Sequence, residues 1–171
     1  MPSKPVPRIA SRSAPGSRLA AAADNWLALD HQLCFALYAA SLAMTKAYKP
    51  LLAPLGLTYP QYLVMLVLWE GDGIGVSALG ERLTLDSGTL TPLLKRLEVL
   101  GLLQRQRDSA DERRVLLRLS PAGRKLRVQA LAVPQAVACA SACDLQQIQS
   151  LAGQLTTLRQ QLNASLSKAA A

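Results

Sequence analysis

The chain has 171 residues, a length typical of one domain that buries its own core without disulfides or a structural metal. Half of the residues are hydrophobic, chiefly Leu and Ala, and only 4 % are aromatic, which favours a helical protein. The formal net charge of +8 favours an anionic partner, either nucleic acid or an anionic membrane surface. No apolar run approaches the roughly 18 residues that a membrane-spanning helix needs, so the sequence excludes an integral membrane protein.

The three cysteines bear on compartment and on chemistry. Their odd number, with no apolar secretory segment ahead of them, argues against an extracellular disulfide framework and for a reducing cytoplasm. A zinc site at Cys139 and Cys143 would need two further good ligands, which the single histidine does not provide. We therefore expect no metal or other cofactor, and any cysteine chemistry should be regulatory or catalytic.

Residues 1–23 are basic and contain four prolines and no acidic side chain. They lack a core-facing pattern, which predicts a disordered tail or a loose DNA-binding arm. Their composition also resembles an organellar transit peptide, although the prolines weaken the amphipathic helix that import uses. Residues 24–171 are expected to form a single domain.

The first structured part of the chain is predicted to be a long helix. It begins near Asp24, shows an apolar face that steps by three and four residues, and is expected to stop before Pro50. A capping box that begins at Thr58 then precedes a buried helix. Residues 74–76 are long enough only for a very short strand.

A helix-turn-helix and a wing are predicted next. Two short helices, residues 78–83 and 87–100, are separated by a tight turn, and Asp86 caps the second helix. Alternating side chains between 101 and 119, with a charged turn at 107–112, predict a two-stranded hairpin. A hairpin directly after a helix-turn-helix is a wing.

The C-terminal third is predicted to be helical. Ser120 caps a helix that is expected to bend at Pro134, and Asp144 caps the last helix. The fold class is therefore mainly α with a small β-wing, a winged helix-turn-helix. The last helix carries an apolar stripe that needs a partner, formed by Leu145, Ile148, Leu151, Leu155, Leu158 and Leu162.

Basic residues are concentrated on the predicted DNA-reading elements, where ten of them between Asp86 and Arg127 stand against five acidic ones. An isolated basic helix is usually only solvated, but a preceding short helix and a following basic hairpin favour DNA recognition. Either Arg113 or Arg114 is expected to enter the minor groove. Pro92 conflicts with the second helix and is expected to shift or kink its start. The predicted DNA-binding residues are Asp86, Ser87, Thr89, Thr91, Lys95, Arg96, Arg105, Arg113 and Arg114.

These residues carry a resemblance to a known family. The segments Leu85–Leu97, Asp111–Arg113 and Leu119–Gly123 resemble the winged-helix core of the MarR family. The resemblance implies a homodimer that binds an inverted-repeat operator in double-stranded DNA and usually represses. It also implies dimerisation through residues 24–56 and 121–168, with the winged helix-turn-helix at 58–120.

Two further segments, Leu29–Tyr38 and Leu57–Tyr62, are similar to the OhrR branch of this family, the organic hydroperoxide sensors. The resemblance implies that Cys34 is oxidised by an organic hydroperoxide and that Tyr48 and Tyr59 donate hydrogen bonds to it. The segment Val137–Cys143 resembles the two-cysteine type of this branch, which implies that Cys139 resolves the oxidised thiol as an intersubunit disulfide. Cys143 is then a spare thiol or core filler, and the residues themselves do not decide which of the two reacts.

The chemistry of Cys34 is plausible on independent grounds. A thiol with an ordinary pKa of about 8.5 is only a small fraction thiolate at pH 7, and the thiolate is the species that attacks a peroxide. Tyrosine O–H groups and a nearby helix N-terminus would favour the anion. The plainer reading is that Cys34 is a small buried hydrophobe and that His31, one turn before it, is a partly exposed first-turn residue.

Other functions remain open at this point. The first is a repressor of the same fold that is released by a phenolic or drug-like ligand, with incidental cysteines. The second is a thiol peroxidase, which is disfavoured because such an enzyme has no need of a basic helix-turn-helix and wing. We therefore expect that the protein is not an enzyme. The third is an architectural DNA-binding role, which would leave the placement of cysteines and tyrosines unexplained.

Overall fold

The computed structural model describes residues 26–108, 111 and 113–169, so the predicted tail at 1–23 lies outside the described residues. The chain groups into two compact units with a boundary between Met44 and Thr45. The described part of the first unit contains the 3₁₀ turn Leu29–His31 and the start of helix α1, Leu33–Leu52, which runs on into the second unit.

The limits of α1 differ from the prediction at both ends. It begins at Leu33 and not near Asp24, because Gln32 has an extended backbone and its side chain donates to the carbonyls of Trp26 and Ala28. It ends at Leu52, with Pro50 inside the last turn. A proline so close to a helix end removes one hydrogen bond while the rest of the ladder stays complete.

The second unit contains the remaining helices and a small sheet. Its elements are a 3₁₀ turn (Ala53–Leu55), α2 (Tyr59–Glu70), β1 (Ile74–Gly75), α3 (Val76–Leu83), α4 (Ser87–Val99), β2 (Leu103–Arg107), β3 (Val115–Leu119), α5 (Pro121–Ala130), α6 (Ala132–Ala140) and α7 (Leu145–Ala169). This order confirms the winged helix-turn-helix. The helix α3 begins at Val76 behind a Gly75 cap, two residues earlier than the predicted start at Ala78.

The predicted N-caps are confirmed. At the start of α2 the Thr58 side chain accepts from the Gln61 backbone, and the Gln61 side chain accepts from Thr58 N–H at 2.8 Å. Asp86, Ser120 and Asp144 likewise each accept from the backbone N–H three residues ahead. Each cap satisfies an N–H group that the helix itself leaves without an acceptor.

The sheet has three antiparallel strands in the order β1, β3, β2, so the predicted hairpin gains a third strand. Leu103 pairs with Leu119 and Arg107 with Val115 across the hairpin. The strand β1 extends the sheet by pairing Ile74 with Leu117. This addition ties the segment that follows α2 to the base of the wing.

The predicted bend after Ser120 lies at Leu131, where α5 ends and α6 begins. Pro134 sits in the first turn of α6, and it lacks the N–H that would bond the carbonyl of Ala130. The break therefore falls one turn before the proline itself.

The core of the second unit is apolar and close-packed, with side chains from α2, α3, α4, the sheet and α5–α6. No single described helix is both long and apolar enough to span a membrane. Two pairs of successive helices have the necessary length and composition when taken together, but each pair is sharply bent. The helix α7 contributes no buried residue. The largest fully buried side chains are Tyr62, Leu52, Met65, Leu68, Leu79, Leu90, Leu94, Leu97, Leu103, Leu117 and Val64.

Among the described glycines, Gly123 has the least space for a side chain. A Cβ atom there would lie 2.0 Å from the Leu102 carbonyl oxygen and 3.2 Å from Cδ2 of Leu119. No flexible side chain can yield to the first contact, since the neighbour is backbone. The close packing of α5 on the wing thus requires glycine.

We expect Gly123→Ala to lower the free energy of unfolding by about 1–3 kcal/mol, the usual cost of overpacking. Gly153→Ala is the matched control, because a Cβ there meets nothing within 4 Å. Gly153 lies on the side of α7 opposite its apolar stripe, so this change should stabilise by about 0.5–1 kcal/mol. Urea unfolding followed by circular dichroism measures both, and equal effects of the two changes would contradict the packing argument.

Candidate DNA interface and thiol site

The turn between α3 and α4 fixes the helix-turn-helix. Thr84 has a left-handed backbone at φ 58°, and Leu85 N–H donates to the Gly80 carbonyl at 2.9 Å. A Cβ atom on Gly80 would lie 2.9 Å from the Leu85 carbonyl oxygen, so the chain closes tightly at this point. The inner face of α4 is then buried through Leu90 and Leu94, which directs its opposite face outwards.

The first turn of α4 has a defined hydrogen-bond arrangement. Asp86 accepts from Thr89 N–H at 2.8 Å with one carboxylate oxygen and from the Thr89 hydroxyl at 2.9 Å with the other. These bonds, first the backbone and then the side-chain donor, hold the pKa of Asp86 below its ordinary value. Thr91 donates its hydroxyl to the Ser87 carbonyl at 2.7 Å. The helix begins at Ser87 as predicted and passes through Pro92, which does not shift its start.

Several predicted cations lie around one open groove. A groove of about 740 Å³ between α3 and the wing is lined by Arg105, Arg113 and Arg114 among others. Arg105 Nε lies 3.3 Å from a Glu98 carboxylate oxygen, and Arg114 Nη1 lies 3.8 Å from Asp108. Arg113 is exposed at the tip, as are Lys95 and Arg96 on α4. The arrangement presents positive charge on two sides of the helix-turn-helix.

Asp72 connects three elements, and the sequence did not single it out. One of its carboxylate oxygens accepts from Leu119 N–H at 2.8 Å, at the end of β3, and the other lies 2.5 Å from Arg124 Nη1 on α5. The neighbouring Gly73 N–H donates to the Leu117 carbonyl at 3.0 Å. Nothing in the residues around Asp72 indicates a partner about fifty residues away.

Three further bonds complete this junction. Trp69 Nε1 donates to the Gly123 carbonyl at 2.9 Å, which links the end of α2 to the start of α5. The Ser120 hydroxyl donates to the Gly101 carbonyl at 2.5 Å and accepts from Gly123 N–H at 3.0 Å. We call Trp69, Asp72, Ser120, Gly123 and Arg124 the wing junction.

A tyrosine cluster joins the end of α1 to α2 within the second unit. The ring centroids of Tyr48 and Tyr59 are 4.7 Å apart, and those of Tyr48 and Tyr62 are 5.8 Å apart. Burial raises the pKa of Tyr48 above its ordinary value, and Tyr59 adds to the shift; burial also raises the pKa of Tyr59 and of Tyr62. The phenols therefore keep their protons, and with them the ability to donate, at neutral pH. Tyr62 was not predicted for this cluster.

The three cysteines are free thiols in the structure. Cys34 is exposed and lies in the first unit, whereas Tyr48 and Tyr59 lie in the second. Cys139 is exposed near the end of α6, and Cys143 is half-buried, with its Sγ 3.3 Å from the Ser141 carbonyl oxygen. Among the described residues, no group of three His, Cys, Asp or Glu side chains is placed to hold a metal ion.

The last helix contacts the helix-turn-helix at a position that the sequence did not predict. Arg159 Nη1 on α7 donates to the Thr84 hydroxyl at 3.1 Å. Thr84 is the left-handed residue between α3 and α4, so this bond connects α7 directly to the turn of the helix-turn-helix. No short-range signal in the sequence marks the pair.

Comparison with known proteins gives consistent matches. The sequence profile of the SarA/Rot transcriptional regulators matches residues 46–129. The HTH-type transcriptional regulator TtmR of Methylorubrum extorquens (strain PA1) is 49 % identical over 141 residues, covering 82 % of this chain and 72 % of TtmR. The organic hydroperoxide resistance transcriptional regulator of Bacillus subtilis (strain 168) is 47 % identical over 135 residues, covering 79 % of this chain and 92 % of that protein.

A solved structure extends the comparison to the fold. Reduced AbfR bound to DNA has a TM-score of 0.67 and 35 % identity, covering 81 % of this chain and 94 % of that one. AbfR is a protein of Staphylococcus epidermidis. The similarity extends over most of both chains.

Replacement of Asp72 tests the wing junction. Asp72→Ala removes the acceptor of the Leu119 N–H and should lower the free energy of unfolding by about 1–3 kcal/mol. Asp72→Asn keeps an acceptor oxygen and loses only the partly exposed ion pair, as does Arg124→Ala, so both should cost less than about 1 kcal/mol. Urea unfolding ranks the three variants, and an alanine variant no less stable than the asparagine one would refute the role assigned to the Leu119 bond.

Proposed function

This chain belongs to the MarR family of winged-helix transcriptional regulators, in which it is of the OhrR type, and from that premise we propose that it is a hydroperoxide-sensing repressor. The repressor binds an inverted-repeat operator in its reduced form and leaves it when an organic hydroperoxide oxidises Cys34. The observation that carries the proposal is the Tyr48–Tyr59 pair, two half-buried phenols in ring contact that stay protonated.

DNA recognition in this proposal uses the outer face of α4 and the wing. Ser87, Thr89 and Thr91 stand at the N-terminal end of α4, where side chains reach base edges, while Lys95 and Arg96 lie farther along. The arginines around the wing groove favour phosphates and the narrow minor groove. Asp86 acts in this scheme through the cap it forms with Thr89.

Oxidation proceeds in two balanced steps. The Cys34 thiolate attacks a peroxide oxygen of the hydroperoxide, the O–O bond breaks, and the leaving alkoxide takes a proton from solvent, so that the products are the Cys34 sulfenic acid and an alcohol. The thiol of Cys139 on the partner subunit then attacks the sulfenic sulfur, and a disulfide and water form. Lowering the thiol pKa by about two units takes roughly 2.7 kcal/mol, which two tyrosine O–H bonds to the anion can supply.

The dimer that this requires is supported by the apolar surface. Side chains of α7 such as Leu151 and Leu155 are more than two-fifths exposed, and so are Leu33 and Leu42 on α1. A stripe of this kind along a helix is typical of an interface between subunits. Homodimerisation covers both apolar surfaces and brings two winged helix-turn-helix elements to one operator.

The covalent dimer is the direct test of this function. We expect stoichiometric cumene hydroperoxide to convert the protein to a disulfide-linked dimer on non-reducing electrophoresis, and reductant to reverse it. Cys34→Ser and Cys139→Ser should abolish the dimer, whereas Cys143→Ser should keep it. If Cys34→Ser still releases DNA on oxidation, or if only Cys143→Ser removes the dimer, the assigned thiols are wrong.

The tyrosine role has its own test in a protein that lacks Cys139 and Cys143. Tyr48→Phe or Tyr59→Phe removes one donor to the thiolate, a bond worth about 1.5–3 kcal/mol. The pKa of Cys34 should rise by roughly one to two units, because each unit is about 1.4 kcal/mol. The pH dependence of Cys34 alkylation by iodoacetamide measures this, and an unchanged pH profile would exclude direct hydrogen bonding to the thiolate.

A second candidate is the ligand-released repressor, which one cavity favours. A cavity of about 400 Å³ is lined by Tyr62, Leu66, Trp69 and Pro134 among others, and it adjoins the wing junction through Trp69. An aromatic ligand there would act on the same elements. Operator release by such a ligand, together with indifference to hydroperoxide, would favour this candidate over thiol sensing.

A further inference from the structure

The outer face of α4 carries few polar side chains over its first two turns. With Leu90 and Leu94 buried, a spacing of about 100° per residue places Gly88 and Pro92 at the middle of the exposed side. Thr89 and Thr91 flank that middle from either side, and both are exposed. Within these two turns, and together with Ser87 at the helix start, these two hydroxyls are the polar side-chain groups that border this face.

The Thr89 hydroxyl has a fixed direction. It lies 2.9 Å from a carboxylate oxygen of Asp86, and the low pKa of that carboxyl means that it has no proton to give. The hydroxyl must therefore be the donor in this bond. Its single proton is used, and only the lone pairs of its oxygen remain for another partner.

The Thr91 hydroxyl is fixed in the same sense by a different partner. It lies 2.7 Å from the Ser87 carbonyl oxygen, which can only accept. Pro92 adds to the pattern because it has no N–H, so the Gly88 carbonyl loses its usual helical donor and stays another acceptor. The outer face of the first two turns thus offers acceptors at Gly88, Thr89 and Thr91.

We propose that Thr89 and Thr91 are specificity-determining residues that read operator bases only as hydrogen-bond acceptors, each taking an exocyclic amino proton of adenine N6 or cytosine N4. In the major groove these amino groups are the donors, whereas N7 and O6 of guanine, N7 of adenine and O4 of thymine are acceptors. Hydroxyls of serine and threonine can in general serve either role, so the restriction comes from Asp86 and the Ser87 carbonyl. The inference rests on the proposed binding of operator DNA.

The test uses the full-length reduced protein and a DNA site that it selects from a random-sequence pool. In that site each adenine is replaced singly by purine, which lacks the N6 amino group, or by 7-deaza-adenine, which lacks the N7 acceptor. Affinities are measured for the wild type and for Thr89→Val and Thr91→Val, which keep the branched shape and lose the hydroxyl. Cytosine positions are tested in parallel with 2-pyrimidinone, which lacks the N4 amino group.

Loss of an amino group at a contacted position should weaken wild-type binding roughly 3- to 10-fold, the effect of one hydrogen bond. The same loss should cost almost nothing in the valine variant whose hydroxyl made that contact. Penalties for removing N7 should be identical in the wild type and both variants, since neither hydroxyl donates to N7.

The variant Asp86→Asn supplies a readout that would not change if Asp86 had only a structural role. Asparagine is an equally good N-cap, but its amide N–H₂ in place of the second oxygen can donate to Thr89 and so release the hydroxyl proton outwards. A new penalty for removing N7 should then arise, and Thr89→Val added to Asp86→Asn should abolish it.

The outcomes separate this inference from the function beneath it. A pool in which the reduced wild type enriches no sequence refutes operator binding, and the inference fails with it. An enriched site whose amino-group penalties are the same in the wild type and both valine variants overturns the inference alone. A penalty for removing N7 that disappears in either valine variant also overturns it, because that hydroxyl would then be a donor.

Discussion

The contact of Gly123 with the Leu102 carbonyl leaves no space for a side chain, and the placement of the wing depends on it. Around that contact, Trp69 binds the Gly123 carbonyl, Asp72 binds the end of β3, and Ser120 bridges back to the start of β2. Each of these bonds joins a side chain to a backbone group. The wing is thereby attached to the protein at its base, while its charged tip extends outwards.

Because the wing is held at its base, its cations and those of α4 lie on one surface. Most of these cations stay exposed, and where they are paired the partner lies on the wing or on α4, as Asp108 does for Arg114 and Glu98 for Arg105. The N-terminus of α4 has no cation in its first turn and presents hydroxyl groups. In the proposed complex with DNA, the cations would meet the phosphate backbone and the hydroxyl groups would meet the bases, on different parts of one surface.

Features encoded by neighbouring residues were accessible from the sequence. The caps at Thr58, Asp86 and Asp144, like the hairpin, depend on side chains within a few positions of one another, and each was predicted. The bond between Asp72 and Arg124 joins residues far apart in the chain, and no periodicity encodes it. The start of α1 was mispredicted for a related reason. The apolar spacing continues on both sides of Gln32, but the backbone of Gln32 is extended and interrupts the helix.

In the candidate site, too, residue types were accessible from the sequence, whereas contacts between distant residues were not. The residue types at Cys34, Tyr48 and Tyr59 suggested a thiol sensor through family resemblance, but the third ring of the cluster, Tyr62, emerges only from packing. The direction of the hydroxyls on α4 is also invisible in a sequence, because threonine can donate or accept. It becomes defined only when the acceptor beside it is known, as Asp86 is for Thr89.

The interruption at Leu131 has a mechanical meaning. A continuous α-helix behaves as a stiff rod. Between α5 and α6 this rod is weakened at Leu131, which keeps a right-handed helical backbone while Pro134 cannot bond Ala130. The wing junction holds the N-terminal end of α5, and α6 carries Cys139 on the far side of the weak point. The stiffness between the wing and this thiol is therefore lowest within a single turn of helix.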